Sequence, residues 1–342
     1  MNLLIKRKLK LLFLFGLFSI PAGMLYQRLN DGFIDYNAFV VGFFMGFGFG
    51  VLELFIMSKL NLRIKTLSIP MIIITKSTIY TLIIFLLSNL IGVLGGLFEG
   101  KSLDEFFKYL YSIKQMYFIV YSLVVFGIIL FFIQISRLLG EGVLFKILLG
   151  KYNRPVEEDR IFMFLDVKSS TTLAEKMGHE KFYSLLNSFF HEITDPMLIT
   201  NAEIYQYVGD EVVFTWKTED GLRDANCVQL FFLIKNKIRE NQEYYLKRYD
   251  VVPDFKAAIH FGNVIVGQIG DIKREIVYNG DVLNTTSRLQ DLCNKYSRDL
   301  LISRSLLSKL KLPEKIKQEY LGKVKLRGKQ KDIHIYGINE KL

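Results

Sequence analysis

Three short stretches hold residues that can do chemistry together. Asp166 ends the apolar run Ile161-Phe-Met-Phe-Leu165, and Asp210 follows 44 residues later within Ile204-Tyr-Gln-Tyr-Val-Gly-Asp-Glu-Val-Val-Phe214. The first run suits a fully buried strand, and the second reads as a β-hairpin with its Gly-Asp pair at the tip. If these strands are neighbours in one sheet, both carboxylates converge at one edge. Carboxylates so placed suit two magnesium ions held against a triphosphate. Behind Asp166, the backbone amides of Val167 to Ser170, with Ser169 and Ser170 leading into a helical pattern, make a helix N-terminus that favours phosphate. The third stretch is Gly280-Asp-Val-Leu-Asn-Thr-Thr-Ser-Arg288, in which Asn284 and Arg288 stand four apart on a predicted helix and share one face. An amide beside a guanidinium can orient a ribose and stabilise charge developing on a transferring phosphoryl group.

The elements that must position these residues follow from apolar periodicity. After the strand ending at Asp166, Leu173, Phe182, Leu185, Leu186 and Phe189 mark a helix, and the Asp210 hairpin comes next. A helix over Leu222–Asn241 precedes strands at Phe255–Phe261, Val264–Ile269 and Glu275–Tyr278. A helix over Val282–Lys295, a strand at Leu300–Ser303 and a terminal strand pair at Lys323–Arg327 and Ile333–Ile338 complete the set. Mixed alternation of this kind predicts an α+β domain with helices packed on one sheet. Gly262, Gly267 and Gly270 have no helix opening after them, so they read as turns and close packing and not as a dinucleotide loop. His260 lies in an apolar strand with no metal-ligating companions and reads as structural.

Of the 342 residues, 51% are hydrophobic, and they are concentrated before residue 139. Four segments, Leu11–Gln27, Tyr36–Met57, Leu67–Phe98 and Met116–Ile135, approach or exceed the about 20 apolar residues that cross a bilayer. The first has no clear small-residue cleavage site and three further spans follow it, which argues against a signal peptide. Lys6, Arg7, Lys8 and Lys10 precede the first span, Lys59, Arg63 and Lys65 separate the second and third, and Arg137, Lys146, Lys151 and Arg154 follow the fourth. The positive-inside rule then places the chain as multi-pass in the cell (inner) membrane, with both termini and the soluble domain in the cytoplasm. Cys227 and Cys293 are expected to be free thiols in that reducing compartment. The net charge of +10 is explained by juxtamembrane Lys and Arg beside anionic lipid, and no nucleic-acid-binding motif is present. Within the spans, Glu53 and Lys76 are expected to pair, because isolated charges in lipid are costly. Gly42, Gly46 and Gly50 form a small-residue repeat that suits close helix packing. Leu138, Leu139, Val143, Leu144, Ile147 and Leu148 predict an amphipathic connecting helix within Ser136–Glu158. The organisation expected is a transmembrane domain over 1–135, a connecting helix and linker over 136–158, and a soluble domain over 159–342.

Taken together, Phe-Leu-Asp166-Val-Lys-Ser, Val-Gly-Asp210-Glu and Gly-Asp-Val-Leu-Asn284-Thr-Thr-Ser-Arg288-Leu resemble the class III nucleotidyl cyclase catalytic domain, over roughly Asp159–Leu342. The resemblance implies a ferredoxin-like βαββαβ-type fold and a homodimer with active sites at the interface. It implies that Asp166, Asp210 and the carbonyl of Val167 hold two Mg²⁺ or Mn²⁺ ions, and that Asn284 and Arg288 come from the other subunit. Lys329, in Leu-Arg-Gly-Lys329, falls where the family places a lysine on the triphosphate. The reaction implied is attack of the ribose 3′-oxygen on the α-phosphate, giving a cyclic nucleotide and pyrophosphate. Four positions before the second metal aspartate many members carry a purine-reading lysine, and here Gln206 stands there; seven before the asparagine, where Asp, Thr or Cys is usual, stands Val277. A glutamine both donates and accepts, so it suits either purine, and valine makes no side-chain hydrogen bond. Family frequency favours ATP over GTP. The alternatives are a guanylate cyclase and a non-catalytic membrane receptor whose cyclase-like domain only binds nucleotide. The Asp210-Glu211 pair also resembles part of the Gly-Gly-Asp-Glu-Phe signature of diguanylate cyclases, but Val208 fills the first glycine position and Asn284 and Arg288 have no role there.

Overall fold

The computed structural model describes residues 3–57, 67–98, 107–108, 110–140, 142–326 and 332–340. Lys59, Arg63, Lys65, Arg327 and Lys329 lie outside the described residues. The chain divides into two compact units, Met1–Leu139 and Gly140–Leu342.

The first unit is helical: α1 (Leu3–Asp31), α2 (Tyr36–Val51) continued by a π-helical turn over Leu52–Met57, α3 (Ile69–Phe98) and α4 (Ile113–Leu139). Each contains a stretch long and apolar enough to cross a membrane, and the helices run past the expected spans at several ends. Asp35 caps α2 by accepting a hydrogen bond from the Ala38 amide at 3.3 Å, which starts the helix where its apolar run begins. The glycine repeat faces α1 at close range. A Cβ on Gly23 would lie 2.6 Å from Gly42 Cα, and one on Gly42 would lie 3.0 Å from Ile20 Cα, so only hydrogen lets the two backbones meet. Phe49 stacks on Phe126 at 5.4 Å and Tyr80 packs edge-on against Phe49 at 5.2 Å.

Glu53 and Lys76 pair as expected, with Lys76 Nζ 3.0 Å from both carboxylate oxygens. The structure adds two partners that spacing did not reveal: the Tyr80 hydroxyl donates to Glu53 Oε2, and Arg137 Nη2 donates to Oε1 at 2.9 Å. One carboxylate in the π-helical turn thereby ties α3 and α4 to the end of α2. Lys76 is fully buried, so Glu53→Ala strands its ammonium and is expected to cost about 3–5 kcal/mol. Thermal unfolding in detergent measures this, and an unchanged melting temperature would show that the ion pair contributes nothing.

The second unit begins with a short helix, α5 (Val143–Leu148), none of whose residues is buried. Within the stretch expected to hold a connecting helix and linker, the described helical residues are the end of α4 and those of α5, which is flanked by Gly140, Gly142 and Gly150 at φ of 96°, 71° and 64°, a left-handed conformation that interrupts a helix. The strand expected from Ile161 starts earlier, as β1 (Val156–Val167). There follow α6 (Ser170–Met177), α7 (His179–Glu192), α8 (Thr194–Ile199), β2 (Glu203–Val208), β3 (Glu211–Lys217) and α9 (Thr218–Leu222). The helix expected over Leu222–Asn241 is interrupted at Asp224 and Ala225, which take φ of 50° and 54°, and α10 runs only from Asn226 to Glu240. Next come α11 (Gln242–Tyr249), β4 (Phe255–Ile269), β5 (Glu275–Asn279), α12 (Asp281–Tyr296), β6 (Leu300–Ser303), α13 (Arg304–Leu307), β7 (Ile316–Val324) and β8 (Ile333–Glu340). The two strands expected around Gly262 are one continuous strand, so Gly262 and Gly267 are not turns; Val282 of α12 presses where a Cβ on Gly262 would be, at 3.0 Å.

One sheet runs β2-β3-β1-β4-β6-β8-β7, with β5 paired to β4. Alternation along β1 builds both of its faces. Ile161, Met163, Leu165 and Val167 enter the larger core with Leu185 and Phe189 of α7, Phe231 and Ile234 of α10 and Tyr245 of α11. Phe162 and Phe164 point the other way, against Val213, Val264, Val266 and Val282 of α12. Both predicted thiols are free and buried, and burial pushes each up to about 12, so neither is a reactive thiolate at neutral pH.

Candidate active site

The register of the three central strands brings the first carboxylate to the sheet edge. Asp166 on β1 pairs with Glu211 on β3 and with Lys256 on β4. Val208 pairs directly with Glu211, leaving Gly209 and Asp210 as a two-residue turn, and Gly209 supplies φ of 64°. The hairpin tip then lies beside the end of β1, with the Asp210 carboxyl near enough to act on Asp166. Burial first, and then the Asp210 charge, hold the Asp166 carboxyl above the usual carboxylate range, while Gln290 and Lys256 oppose the shift. Gln290 Nε2 donates to Asp166 Oδ2 at 3.0 Å, and Lys256 Nζ lies 3.5 Å from the same oxygen. Glu211 is pushed up to about 7 by burial and by Asp166, Asp210 and Asp291.

This is an acidic, half-desolvated edge whose negative charges repel one another. The donors are all oxygens, which suits a hard divalent cation, and a cation there would relieve both the repulsion and the desolvation. Among the described residues no group of three or more His, Cys, Asp or Glu is placed to hold a metal by itself. A magnesium site built from one or two carboxylates and substrate phosphates does not need one.

Val167 ends β1, and its successor Lys168 is held by a hydrogen bond that its backbone N–H donates to the Asp254 carbonyl oxygen at 2.9 Å and by ion pairs to Asp254 at 2.8 Å and Asp299 at 2.5 Å. Ser169 caps α6 at φ of 55°, and Ser170 opens it, so their amides lie just beyond Asp166 in the chain. Along α12, Val282, Thr286, Leu289, Gln290 and Cys293 are buried, while Asn284 is exposed and Arg288 half-buried on a flank of the helix. The structure thus unites Asp166 with Asp210 and sets Asn284 toward solvent. Gln206 is exposed on β2, immediately after a bulge at Tyr205, and Val277 is half-buried on β5 opposite Gly267. His260 Nδ1 meets Ser303 Oγ at 2.7 Å, a structural contact.

Three residues around Asp166 had been given no role from sequence: Lys256, Gln290 and Glu211. Each left a trace. Lys256 is a lone charge in an apolar strand, Gln290 a polar residue on the buried face of α12, and Glu211 a carboxylate at a strand start. Their convergence on one carboxylate depends on register between strands far apart in sequence, which periodicity does not supply.

The family model for the adenylate and guanylate cyclase catalytic domain matches residues 155–340. Adenylate cyclase 2 of Rhizobium meliloti (strain 1021) is 36% identical over 220 residues, covering 64% of this chain and 61% of that protein. The adenylate cyclase of Anabaena cylindrica is 25% identical over 181 residues, 52% of this chain and 36% of that protein. The chain therefore spans less than two thirds of the length of these relatives. A bacterial light-regulated adenylyl cyclase structure shares the fold, with a TM-score of 0.56 at 17% identity over 67% of each chain. With the motifs, the mixed sheet and a family match over more than half its length, the chain belongs to the adenylate and guanylate cyclase catalytic domain family.

Proposed function

We propose that the protein is a membrane-anchored nucleotidyl cyclase that converts ATP to cyclic AMP and pyrophosphate in signal transduction. The observation that carries this reading is the meeting of Asp166 and Asp210 at one sheet edge of a domain of this family. Asp166, Asp210 and the Val167 carbonyl hold two Mg²⁺ or Mn²⁺ ions. When bound, these ions lower the pKa of the ribose 3′-hydroxyl and screen charge building on the α-phosphate. Amides at Ser169 and Ser170 and the ammonium of Lys329 bind the triphosphate. Asn284 orients the ribose and Arg288 stabilises the transferring phosphoryl group, both supplied by the second subunit of a homodimer. Gln206 and Val277 face the purine. The four apolar helices anchor the chain, with its N-terminus and cyclase domain in the cytoplasm.

The test is cyclic-nucleotide production by the purified full-length protein with Mg²⁺ or Mn²⁺, given ATP and GTP in parallel. Cyclic AMP from ATP is the expected product. Cyclic GMP alone would make the protein a guanylate cyclase, and no product from a folded dimer would overturn the catalytic reading.

A second expectation concerns the metal. Since Glu211 is raised from 4.5 to about 7, the stability it contributes is fully present below its unfolded pKa and is lost as pH rises to about 7. Cation binding offsets that loss only where the cluster is ionised. Added Mn²⁺ should therefore raise the melting temperature more at about pH 7.5 than at about pH 5.5. Equal shifts at both values would argue against binding at this carboxylate cluster.

A further inference from the structure

Arg160 is the one fully buried arginine among the described residues, and it lies on β1 within a network the reaction does not use. Its Nε donates to Glu158 Oε2 at 3.1 Å, and its Nη2 donates to Glu203 Oε2 at 3.4 Å and to the Tyr278 hydroxyl at 2.7 Å. Nη1 is buried and has no hydrogen-bond partner among the described residues. A buried charge with one unsatisfied amine is a poor device for stability, since an apolar side chain of similar volume would pack there without that penalty. What the guanidinium does achieve is to hold Tyr278.

Tyr278 adjoins Val277 on β5, and its ring packs edge-on against Tyr205 at 4.9 Å and against Phe162 at 5.5 Å. Tyr205 is the bulged residue of β2 and adjoins Gln206. A bulge re-aims the side chains beside it. The two positions assigned to the purine are therefore each one residue from a member of the same tyrosine pair, and the pair is held by one guanidinium. The guanidinium is itself braced. Glu158 also accepts from the Tyr152 hydroxyl at 2.9 Å, and Glu203 pairs with Lys146 at 3.0 Å.

We propose that Arg160 is a positioning residue for purine recognition, holding Tyr278 and, through its ring, Tyr205, so that Val277 and Gln206 keep a fixed separation across the sheet. The inference rests on the reading of Gln206 and Val277 as the residues that face the purine.

The experiment compares full-length wild type with Tyr278→Phe, Arg160→Lys and Arg160→Met, measuring kcat and KM for ATP and GTP. Tyr278→Phe removes one oxygen and keeps both ring contacts. It is expected to raise KM for the preferred purine by about fivefold, the size of one lost hydrogen bond, with kcat little changed and the ATP-to-GTP ratio of kcat/KM drawn toward unity. Arg160→Met should show the same split, and Arg160→Lys should recover part of it. If Arg160→Met fails to fold, Tyr278→Phe still decides. A purely structural role would lower kcat or melting temperature equally for both purines. An active wild type whose Tyr278→Phe variant keeps both KM and the ratio overturns this inference alone, whereas a wild type that turns over neither purine overturns the cyclase reading and this inference with it.

Discussion

Asp210→Ala is expected to lower cyclic-nucleotide turnover by about a thousandfold or more, a loss of about 4 kcal/mol of transition-state stabilisation. The substitution removes half of the carboxylate pair at the sheet edge, and no other described carboxylate occupies the hairpin tip. The fold should not suffer. In the metal-free protein the Asp210 charge contributes to holding the Asp166 carboxyl above its usual range. A raised carboxyl contributes stability that is present below its unfolded pKa and is lost as pH rises. Removing Asp210 lessens that loss, so without divalent cations the variant should melt no lower than wild type at neutral pH. Activity close to wild type would remove Asp210 from the metal site. A collapse in melting temperature would mean that the turn, and not the chemistry, depends on it.

Co-expression of Asp210→Ala with Arg288→Ala chains should restore activity that neither possesses alone. If each site takes its carboxylates from one subunit and its guanidinium from the other, a mixed dimer carries one intact site and one doubly damaged site. Random pairing places half of the chains in mixed dimers, so about a quarter of wild-type activity should return. Arg288 on the half-buried flank of α12, beside an exposed Asn284, suits a residue that acts across an interface. Mixed dimers isolated through two tags and found inactive would show that each chain builds its own site.

The catalytic unit was legible where function and periodicity coincide. The buried strand before Asp166, the Gly209-Asp210 tip, the helix bearing Asn284 and Arg288 and the short strand Leu300–Ser303 all stand close to where their residues placed them. Misreadings fell where glycine or left-handed backbone decides. Gly262, read as a turn or a place of close packing, lies inside a continuous strand and is a place for Val282 to pack, while Gly140 and Gly142, given no weight in the sequence, take a left-handed backbone. Asp224 and Ala225 carry no glycine signal at all, yet both adopt positive φ and split one expected helix. The partners of Asp166 were out of reach for a different reason. Lys256 and Gln290 reach it from 90 and 124 residues away, and only strand register and helix packing say which of many polar side chains will arrive. The Glu53 pairing was foreseeable because an apolar segment leaves a carboxylate few choices, but Tyr80 and Arg137 depended on how three helices turn about their axes.

The pairing of β1 with β4 also sets the order in which a nascent chain can be completed. β1 meets β3 across one edge within about 50 residues, but its other edge waits for β4, whose partners lie 88 to 110 residues downstream. At ribosomal rates of about 5–20 residues per second, that edge stands open for roughly 5–20 s during synthesis. It belongs to the strand that carries Ile161, Met163 and Leu165, an apolar template for pairing with a neighbouring chain. The vulnerable moment for this protein therefore falls on the ribosome, before the cyclase sheet is complete.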